Sequence, residues 1–209
     1  ILKNYFYNMN FDALIIGGGV SGLQCALVLG SAKNKPFAIN KKVGIVMHQR
    51  TSHLQNALFN NVLGLSPKTL GASILNEGKE QLSTLYPDVS QIEDEKVLAI
   101  DSFKEGYKVI TNKNTYSSKI IIIALNYSKP FTIDGLDAFI EPHAKANLTK
   151  DRIQLKNKDH LIKKGMYCCG TIAGYRSQFA IAAGSGASVA TDILTLWNDG
   201  NHVKIHDKI

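Results

Sequence analysis

The sequence predicts an α/β fold with three layers and a parallel central sheet. Residues 11–16 form a short apolar run with the length and composition of a buried parallel strand. They lead directly into a glycine-rich turn, after which residues 23–32 place apolar side chains on one helical face. A second apolar run follows at residues 43–47. This order of strand, turn, helix and strand is the beginning of a βαβ unit.

The remaining segments extend this pattern. Residues 70–85 have apolar residues at helical spacing, and Tyr86, Pro87 and Asp88 end the predicted helix. The alternation that follows predicts a β-hairpin or meander with a turn at Glu105 and Gly106. The strands of this insertion are predicted at residues 96–102, 107–112 and 115–119, and the last of them feeds a buried strand at 120–125.

The chain is predicted to form one domain, residues 11–200, between an N-terminal extension (1–10) and a polar tail (201–209). Met9 is a candidate for the natural start of the protein, in which case residues 1–8 are an upstream extension. Residues 126–164 are polar, with few signals of regular structure. A last strand is expected at 166–169, and a helix rich in small residues at 177–197.

Composition excludes several classes of protein. With 44% hydrophobic and 20% charged residues, the chain is neither disordered nor fibrous. The net charge of +7 is spread over dispersed lysines, and the three arginines are too few for a base-reading surface, so no nucleic-acid partner is expected. The same charge suits attraction of nucleotides and other small anions.

We expect a cytoplasmic protein. Three cysteines without framework spacing indicate a reducing compartment. The longest apolar run, residues 120–125, is much shorter than the ~20 residues that span a bilayer, so no membrane partner is expected. The chain does not open with a charged segment followed by an apolar one, so no secretory signal is expected.

Gly17, Gly19 and Gly22 form the pattern G-x-G-x-x-G between the first strand and the first helix. In this pattern the first glycine permits a sharp turn, the second lets backbone approach a pyrophosphate, and the third packs helix on strand. The helix N-terminus adds N–H groups and the positive end of its dipole. The turn therefore predicts a dinucleotide site, with a purely structural glycine turn as the alternative.

The acid that usually follows the second strand and binds a ribose 2′-OH is missing. His48, Gln49 and Arg50 stand there instead. Gln49 or His48 could hydrogen-bond the ribose, whereas Arg50 could bind a 2′-phosphate, which would indicate NADP. The residues leave both possibilities open.

The C-terminal part discriminates between the nucleotides. Residues 165–171 (GMYCCGT) and 177–186 (SQFAIAAGSG) resemble the C-terminal flavin motif of the thioredoxin reductase-like FAD-dependent oxidoreductases, of the pyridine nucleotide-disulfide oxidoreductase type. In that motif a strand ends at a glycine, and a helix with a glycine pair directs its N-terminus at the flavin. Residues 12–19, 96–100 and 121–124 agree with the same family. The resemblance implies a Rossmann-like FAD-binding domain with FAD as cofactor.

Carried over by position, the resemblance implies that the glycine turn holds the FAD pyrophosphate and that Val97 offers backbone to the adenine. Gly170 and Thr171 would lie beside the ribityl-phosphate arm, with the start of the last helix at the flavin edge. Negative charge on reduced flavin is stabilised by such a helix N-terminus. The predicted cofactor-binding residues are Gly17, Gly19, Val20, Ser21, Gly22, His48, Gln49, Arg50, His53, Val97, Ala124, Gly170, Thr171, Ser177, Gln178 and Phe179.

Two candidate catalytic residues lie near the implied flavin, Gln178 and His53, although a capping or surface role is the alternative for His53. His143, in the connection, could close over the ring. His48, His160, His202 and His206 are predicted at the surface. No cluster of His, Cys and Asp has metal-ligand spacing, so no metal is expected.

The last helix carries two glycines, Gly184 and Gly186, which cost about 1 kcal/mol each relative to alanine. Close packing is therefore predicted as the reason for both, with an ordinary contact between small residues as the alternative to a flavin motif.

The chain also departs from the family. Thr171 stands where the family has Asp, and Asn126 replaces a strand-end glycine. The family inserts its NADPH domain between the segments that match here. In this chain a shortened connection at residues 119–165 takes its place, and the irregular part, 126–164, is too short for a domain of ~100 residues. The family's Cys-x-x-Cys is missing, and Cys25, Cys168 and Cys169 are expected to be buried. Thioredoxin reductase activity is therefore not expected.

Flavin-mediated electron transfer is the function that these features predict. Without an NADPH domain, electrons would come from a partner protein, from free NAD(P)H or from the substrate itself. The alternative is a module that binds FAD or NAD(P) as a sensor or scaffold without turnover. A homodimer is possible by analogy with the family.

Overall fold

A computed structural model describes residues 9–48 and 54–206. The first half contains β1 (Met9–Ile16), α1 (Val20–Ser31), β2 (Val43–Met47), β3 (Leu58–Phe59), β4 (Thr69–Leu70), α2 (Gly71–Leu85) and β5 (Ser90–Glu93). The second half contains β6 (Val97–Phe103), β7 (Gly106–Thr111), β8 (Thr115–Ile123), β9 (Ile140–Pro142), β10 (Ile153–Leu155), β11 (Leu161–Lys163), β12 (Met166–Cys168) and α3 (Phe179–Trp197).

The central sheet has the order β11–β12–β8–β1–β2–β5, and only β11 is antiparallel to its neighbour along this path. Strand β8 pairs with β1 along one edge and has two partners along its other edge. Its first half pairs antiparallel with β7, and its second half pairs parallel with β12. The predicted α/β class, with a parallel sheet and a meander insertion, is thereby confirmed.

The sheet is buried on both faces, which explains why its strands are continuous apolar runs rather than alternating ones. One face packs against α1, α2 and α3 in a core that includes Ile15, Ile45 and Ile122. The other face carries Leu14 and Ile121 and is covered by the meander and by the segment that contains β9 and β10. The third layer is therefore built from strands and turns.

The segment from 126 to 164 has more regular structure than its composition indicates. It contains β9 and β10, which pair antiparallel with each other, and β11 at the edge of the central sheet. These strands have three residues each, too short for alternation to show in the sequence. The edge strand β5 was missed for the same reason.

Helix α3 packs on α1 through Gly186. A Cβ atom on Gly186 would lie 2.0 Å from the carbonyl oxygen of Ser21, so only glycine permits this approach. Gly184 is different, because a Cβ there would meet no heavy atom within 4 Å. The predicted packing role is confirmed for Gly186 and is wrong for Gly184, which faces outward, two residues away on the helix.

Helix α3 is also the helix of the described chain that is long and apolar enough to cross a membrane. The expectation that no segment approaches this length missed it, because glycine, serine and threonine interrupt its apolar residues. Within the fold, Val189, Ala190, Ile193 and Leu194 of α3 are buried in the core. The length and apolar composition of α3 are therefore those of a helix that packs in the core of this domain.

Candidate functional site

Three parallel strands end at the same edge of the sheet, and each leads into a predicted cofactor residue. Strand β1 ends before Gly17, β8 before Ala124, and β12 before Cys169 and Gly170. From β1 the chain continues to β2 on one side, whereas β8 lies on the other side. Ligands of α/β sheets bind outside the carboxyl ends of strands at such a switch point.

A cavity of about 310 Å³ opens at this edge. It brings together the glycine turn, the end of β8 and the start of α3, although they lie far apart in the sequence. Its size falls in the ordinary range of ligand sites. Of the predicted cofactor residues, its walls include Gly19, Val20, Ser21, Ala124, Thr171, Ser177, Gln178 and Phe179.

A second cavity, of about 160 Å³, lies beside the other end of the glycine turn. Gly17, His48 and Val97 line it, and Leu125 lines both cavities. His48 is exposed, as predicted. The two cavities thus flank the turn in the way that the two halves of a dinucleotide would require, with the pyrophosphate between them.

The glycine turn approaches the end of β8 closely. A Cβ on Gly17 would lie 2.4 Å from the Ala124 carbonyl oxygen, and its φ of +120° is also unfavourable for other residues. A Cβ on Gly22 would lie 1.9 Å from the carbonyl oxygen of Gly17. These two positions require glycine for the fold of the turn, which agrees with the roles predicted from the motif.

The N-terminus of α1 is suited to an anion. Its N-cap residue, Gly19, has no side chain to accept from the first N–H groups, and the first turn contains no acidic residue. The dipole of the helix adds positive potential at the cavity wall. A pyrophosphate would therefore fit both the space and the charge at this turn.

The turn at Gly170 is joined to α1 and α3. Its φ is +74°, and a Cβ there would lie 2.6 Å from the Ser21 hydroxyl. The Gly170 N–H donates a hydrogen bond of 2.8 Å to the Ser185 hydroxyl of α3. Thr171 follows and lines the larger cavity.

Helix α3 begins at the wall of the larger cavity. The side-chain oxygen of Gln178 accepts a hydrogen bond of 3.0 Å from the Ile181 N–H and caps the helix. The cap is a structural role, because it satisfies one of the free N–H groups of the first turn. The catalytic role predicted for Gln178 stays a prediction.

Three predicted cofactor residues, Gln49, Arg50 and His53, lie outside the described residues. His143 is described, and it is buried against the Tyr127 ring, with ring centroids 5.2 Å apart, rather than in the wall of the cavity. The surface position predicted for His160 is wrong, because this side chain is 6% exposed. His202 and His206 are exposed, as predicted.

The prediction from sequence also missed part of the cavity wall. Tyr127 lines it four residues after the end of β8, and Arg152 lies over the Tyr127 ring at 5.0 Å. Phe59 of β3 packs edge-on against Phe179, with ring centroids 5.3 Å apart. Phe59 lies in a two-residue strand with no motif around it, whereas the place of Tyr127 after a buried strand was a usable signal.

All three cysteines are free and buried, as predicted, and none lines either cavity. Burial raises the pKa of Cys169 to about 12 and raises the pKa of Cys25 and Cys168 as well. Because the thiolate is the reactive form, these thiols are poor nucleophiles. Among the described residues, no three His, Cys, Asp or Glu side chains are placed to hold a metal ion.

We expect the three thiols to resist alkylation by iodoacetamide at pH 8 in the folded protein and to react fully in denaturant. The reason is that burial both raises their pKa and blocks access. Mass spectrometry of the alkylated chain measures the result. Rapid alkylation of Cys168 or Cys169 in the folded protein would show that this pair is available for redox chemistry.

Comparisons with known proteins agree with this geometry. No protein-family model and no curated protein matches the chain. Solved structures do. A thioredoxin reductase from Gloeobacter violaceus is similar with a TM-score of 0.73 and 12% identity, covering 97% of this chain and 99% of that one.

Two other structures have comparable similarity. A ferredoxin-flavin thioredoxin reductase from Clostridium acetobutylicum has a TM-score of 0.68 and 16% identity, over 92% of this chain and 100% of that one. An oxidoreductase from Agrobacterium tumefaciens has a TM-score of 0.67 and 14% identity, over 88% and 97% of the two chains. The resemblance found in the sequence is confirmed at the level of structure: this chain has the fold of the thioredoxin reductase-like oxidoreductases.

Proposed function

We propose that this chain is an FAD-dependent oxidoreductase that exchanges electrons with an external donor. The observation that carries the proposal is the pair of cavities on either side of the glycine turn. FAD, when bound, supplies the electron-transfer chemistry. The residues of the chain would bind it, orient it and set its electrostatic surroundings.

The larger cavity suits the flavin end of the cofactor. Its walls combine apolar side chains, such as Leu58 and Phe179, with a few polar ones, such as Ser177 and Thr171. The start of α3 directs a positive dipole end at this space. That end would stabilise the negative charge of a reduced flavin, which favours a redox role over passive binding.

The smaller cavity suits the adenosine end. Val97 and Ile133 give it apolar walls, and His48 is available there to hydrogen-bond a ribose. Gly17 lies in this wall, at the start of the turn that would hold the pyrophosphate. Each end of FAD is thereby assigned a cavity, and neither assignment requires the acid that is missing after β2.

Electrons must reach the flavin from outside this domain. Residues 126–164 form short strands and turns, which leaves no second nucleotide-binding domain inserted there. The buried cysteines do not reach either cavity, so an internal dithiol relay is not part of the proposal. One similar structure is named a ferredoxin-flavin thioredoxin reductase, and the net charge of +7 on this chain favours an acidic redox protein as donor.

A non-catalytic nucleotide module is the second candidate. Apart from Tyr127, the described wall of the larger cavity contains no titratable side chain to move a proton. An NADP-binding protein that uses Arg50 is a third possibility, and selective loss of NADPH binding in Arg50→Ala would support it. Reduction of the bound cofactor by an electron donor distinguishes the proposed oxidoreductase from these alternatives.

The test is anaerobic reduction of the FAD-loaded protein by four donors: dithionite, NADPH, a reduced ferredoxin and a dithiol. We expect dithionite and an external donor, foremost the ferredoxin, to bleach the flavin absorbance, and the dithiol to be ineffective. FAD that dithionite alone reduces would favour the non-catalytic module. Rapid reduction by the dithiol would overturn the exclusion of thiol chemistry.

A further inference from the structure

His160 lies beside strand β12, where its carbonyl oxygen accepts a hydrogen bond of 2.9 Å from the Cys168 N–H. Its side chain is 6% exposed, and its Nε2 lies 2.9 Å from the Ser185 hydroxyl of α3. The same hydroxyl accepts the Gly170 N–H at 2.8 Å. A single serine hydroxyl thus joins the imidazole to the backbone of the turn.

The hydrogen-bonding capacity of serine determines the direction of these contacts. A hydroxyl has one proton to donate and two lone pairs to accept with. In neutral His160 with its proton on Nδ1, Nε2 accepts the Ser185 proton while Ser185 accepts from Gly170. Each hydrogen bond in such a chain polarises the next, so the donating hydroxyl is the better acceptor for the Gly170 N–H.

Gly170 has a conformation that other residues rarely adopt. Its backbone has a positive φ, and the neighbouring Ser21 hydroxyl leaves no space for a side chain. On its other side, Thr171 lines the larger cavity. A change in the acceptor of the Gly170 N–H would therefore act on the cavity wall within one residue.

We propose that His160 is a positioning residue, which through Ser185 holds the Gly170–Thr171 turn in the conformation that binds the ribityl-phosphate arm of FAD. This inference rests on the proposed function. His160 does not line either cavity, so its effect on the cofactor passes through the turn.

The surroundings of His160 favour the neutral ring. Burial lowers its pKa from the ordinary value, whereas the charges of Asp192 and Asp159 oppose that shift. The Tyr175 ring stacks on the imidazole, with ring centroids 5.1 Å apart and an angle of 11° between the ring planes. The Lys145 ammonium lies 5.2 Å from the centroid of the Tyr175 ring. The polar and titratable groups around His160 are Asn157, Asp159, Tyr175, Ser185, Asp192 and Cys168, whose thiol contacts the His160 carbonyl oxygen.

Protonation of His160 would reverse the hydrogen bond to Ser185. Nε2–H would then donate, and the serine proton would lose its acceptor while the hydroxyl still faced the Gly170 N–H. FAD affinity should consequently fall as pH drops through the pKa of His160 and remain constant above it. The size of a single hydrogen bond sets the expected change at about three- to tenfold.

The experiment measures FAD binding to the apo-protein between pH 5 and pH 8, with folding followed by circular dichroism. We expect about three- to tenfold weaker binding in His160→Ala and Ser185→Ala at pH 8, with no further loss in the double variant. His160→Gln should keep wild-type affinity at pH 8, because the side-chain amide oxygen of glutamine can accept the Ser185 proton and the amide does not titrate. Its affinity should also lose the dependence on pH.

Failure of the proposed function and failure of the inference about His160 give different results in this experiment. A wild-type chain that does not bind FAD overturns the proposed function and this inference together. If the wild-type chain binds FAD and folded His160→Ala binds it with the same affinity, only the inference about His160 is overturned. If the alanine variants do not fold, the comparison of wild type with His160→Gln decides, since a pH dependence that survives in His160→Gln assigns the titration to another group, such as Asp192.

Discussion

Replacing Gly186 by alanine is expected to destabilise the domain by about 3 kcal/mol, the upper part of the range for overpacking. The new Cβ would lie 2.0 Å from the Ser21 carbonyl oxygen, and backbone cannot move aside as a flexible side chain can. Helix α3 would have to move away from α1, taking with it the Ser185 contact to Gly170. Urea denaturation followed by circular dichroism measures the loss.

Gly184→Ala is the matched control for this change, since the two glycines belong to the same helix. A Cβ on Gly184 meets no heavy atom within 4 Å, so only helix propensity changes. This variant is expected to stabilise the domain by about 1 kcal/mol. Equal effects of the two substitutions, in either direction, would contradict the packing of α3 on α1 described above.

Gly17→Ala is expected to weaken FAD binding by about 100-fold, the equivalent of one lost charge-assisted hydrogen bond or two neutral ones. Gly17 has a φ of +120°, and a Cβ would lie 2.4 Å from the Ala124 carbonyl oxygen. The turn must then move away from β8, which displaces the backbone that is proposed to hold the pyrophosphate. Quenching of FAD fluorescence during titration of the apo-protein gives the affinity.

The control for Gly17→Ala is Gly200→Ala, three residues after the end of α3. Gly200 also has a positive φ, +82°, but a Cβ there meets no heavy atom within 4 Å. It should cost about 1 kcal/mol of stability through backbone strain and leave FAD affinity unchanged. Wild-type FAD affinity in folded Gly17→Ala would place the pyrophosphate elsewhere.

The architecture was predictable because the strongest signals in the sequence are also the structural ones. The buried strands 11–16, 43–47 and 120–125 are continuous apolar runs, and the glycine turn follows the first of them directly. Their structural counterparts, β1, β2 and β8, are adjacent in the sheet and meet at the site. The resemblance of 165–186 to a flavin motif then indicated which helix lies beside them.

The rest depends on contacts that no local pattern encodes. Nothing in the sequence around His160 distinguishes a buried imidazole from a surface one, because its burial comes from Tyr175 and Ser185, which lie further along the chain. Gly184 and Gly186 differ because they lie on different faces of α3, and only the face with Gly186 packs on α1. Phe59 reaches the cavity from a two-residue strand, which is too short to leave a periodic signal.

The visible absorption spectrum of the purified protein shows whether the chain binds a flavin, and chromatography after denaturation identifies the released cofactor. We expect a flavin spectrum and release of FAD, or uptake of added FAD by the apo-protein in a ratio of one per chain. A colourless protein that also does not take up added FAD would contradict it. The two cavities around the glycine turn would then belong to a different ligand or to none.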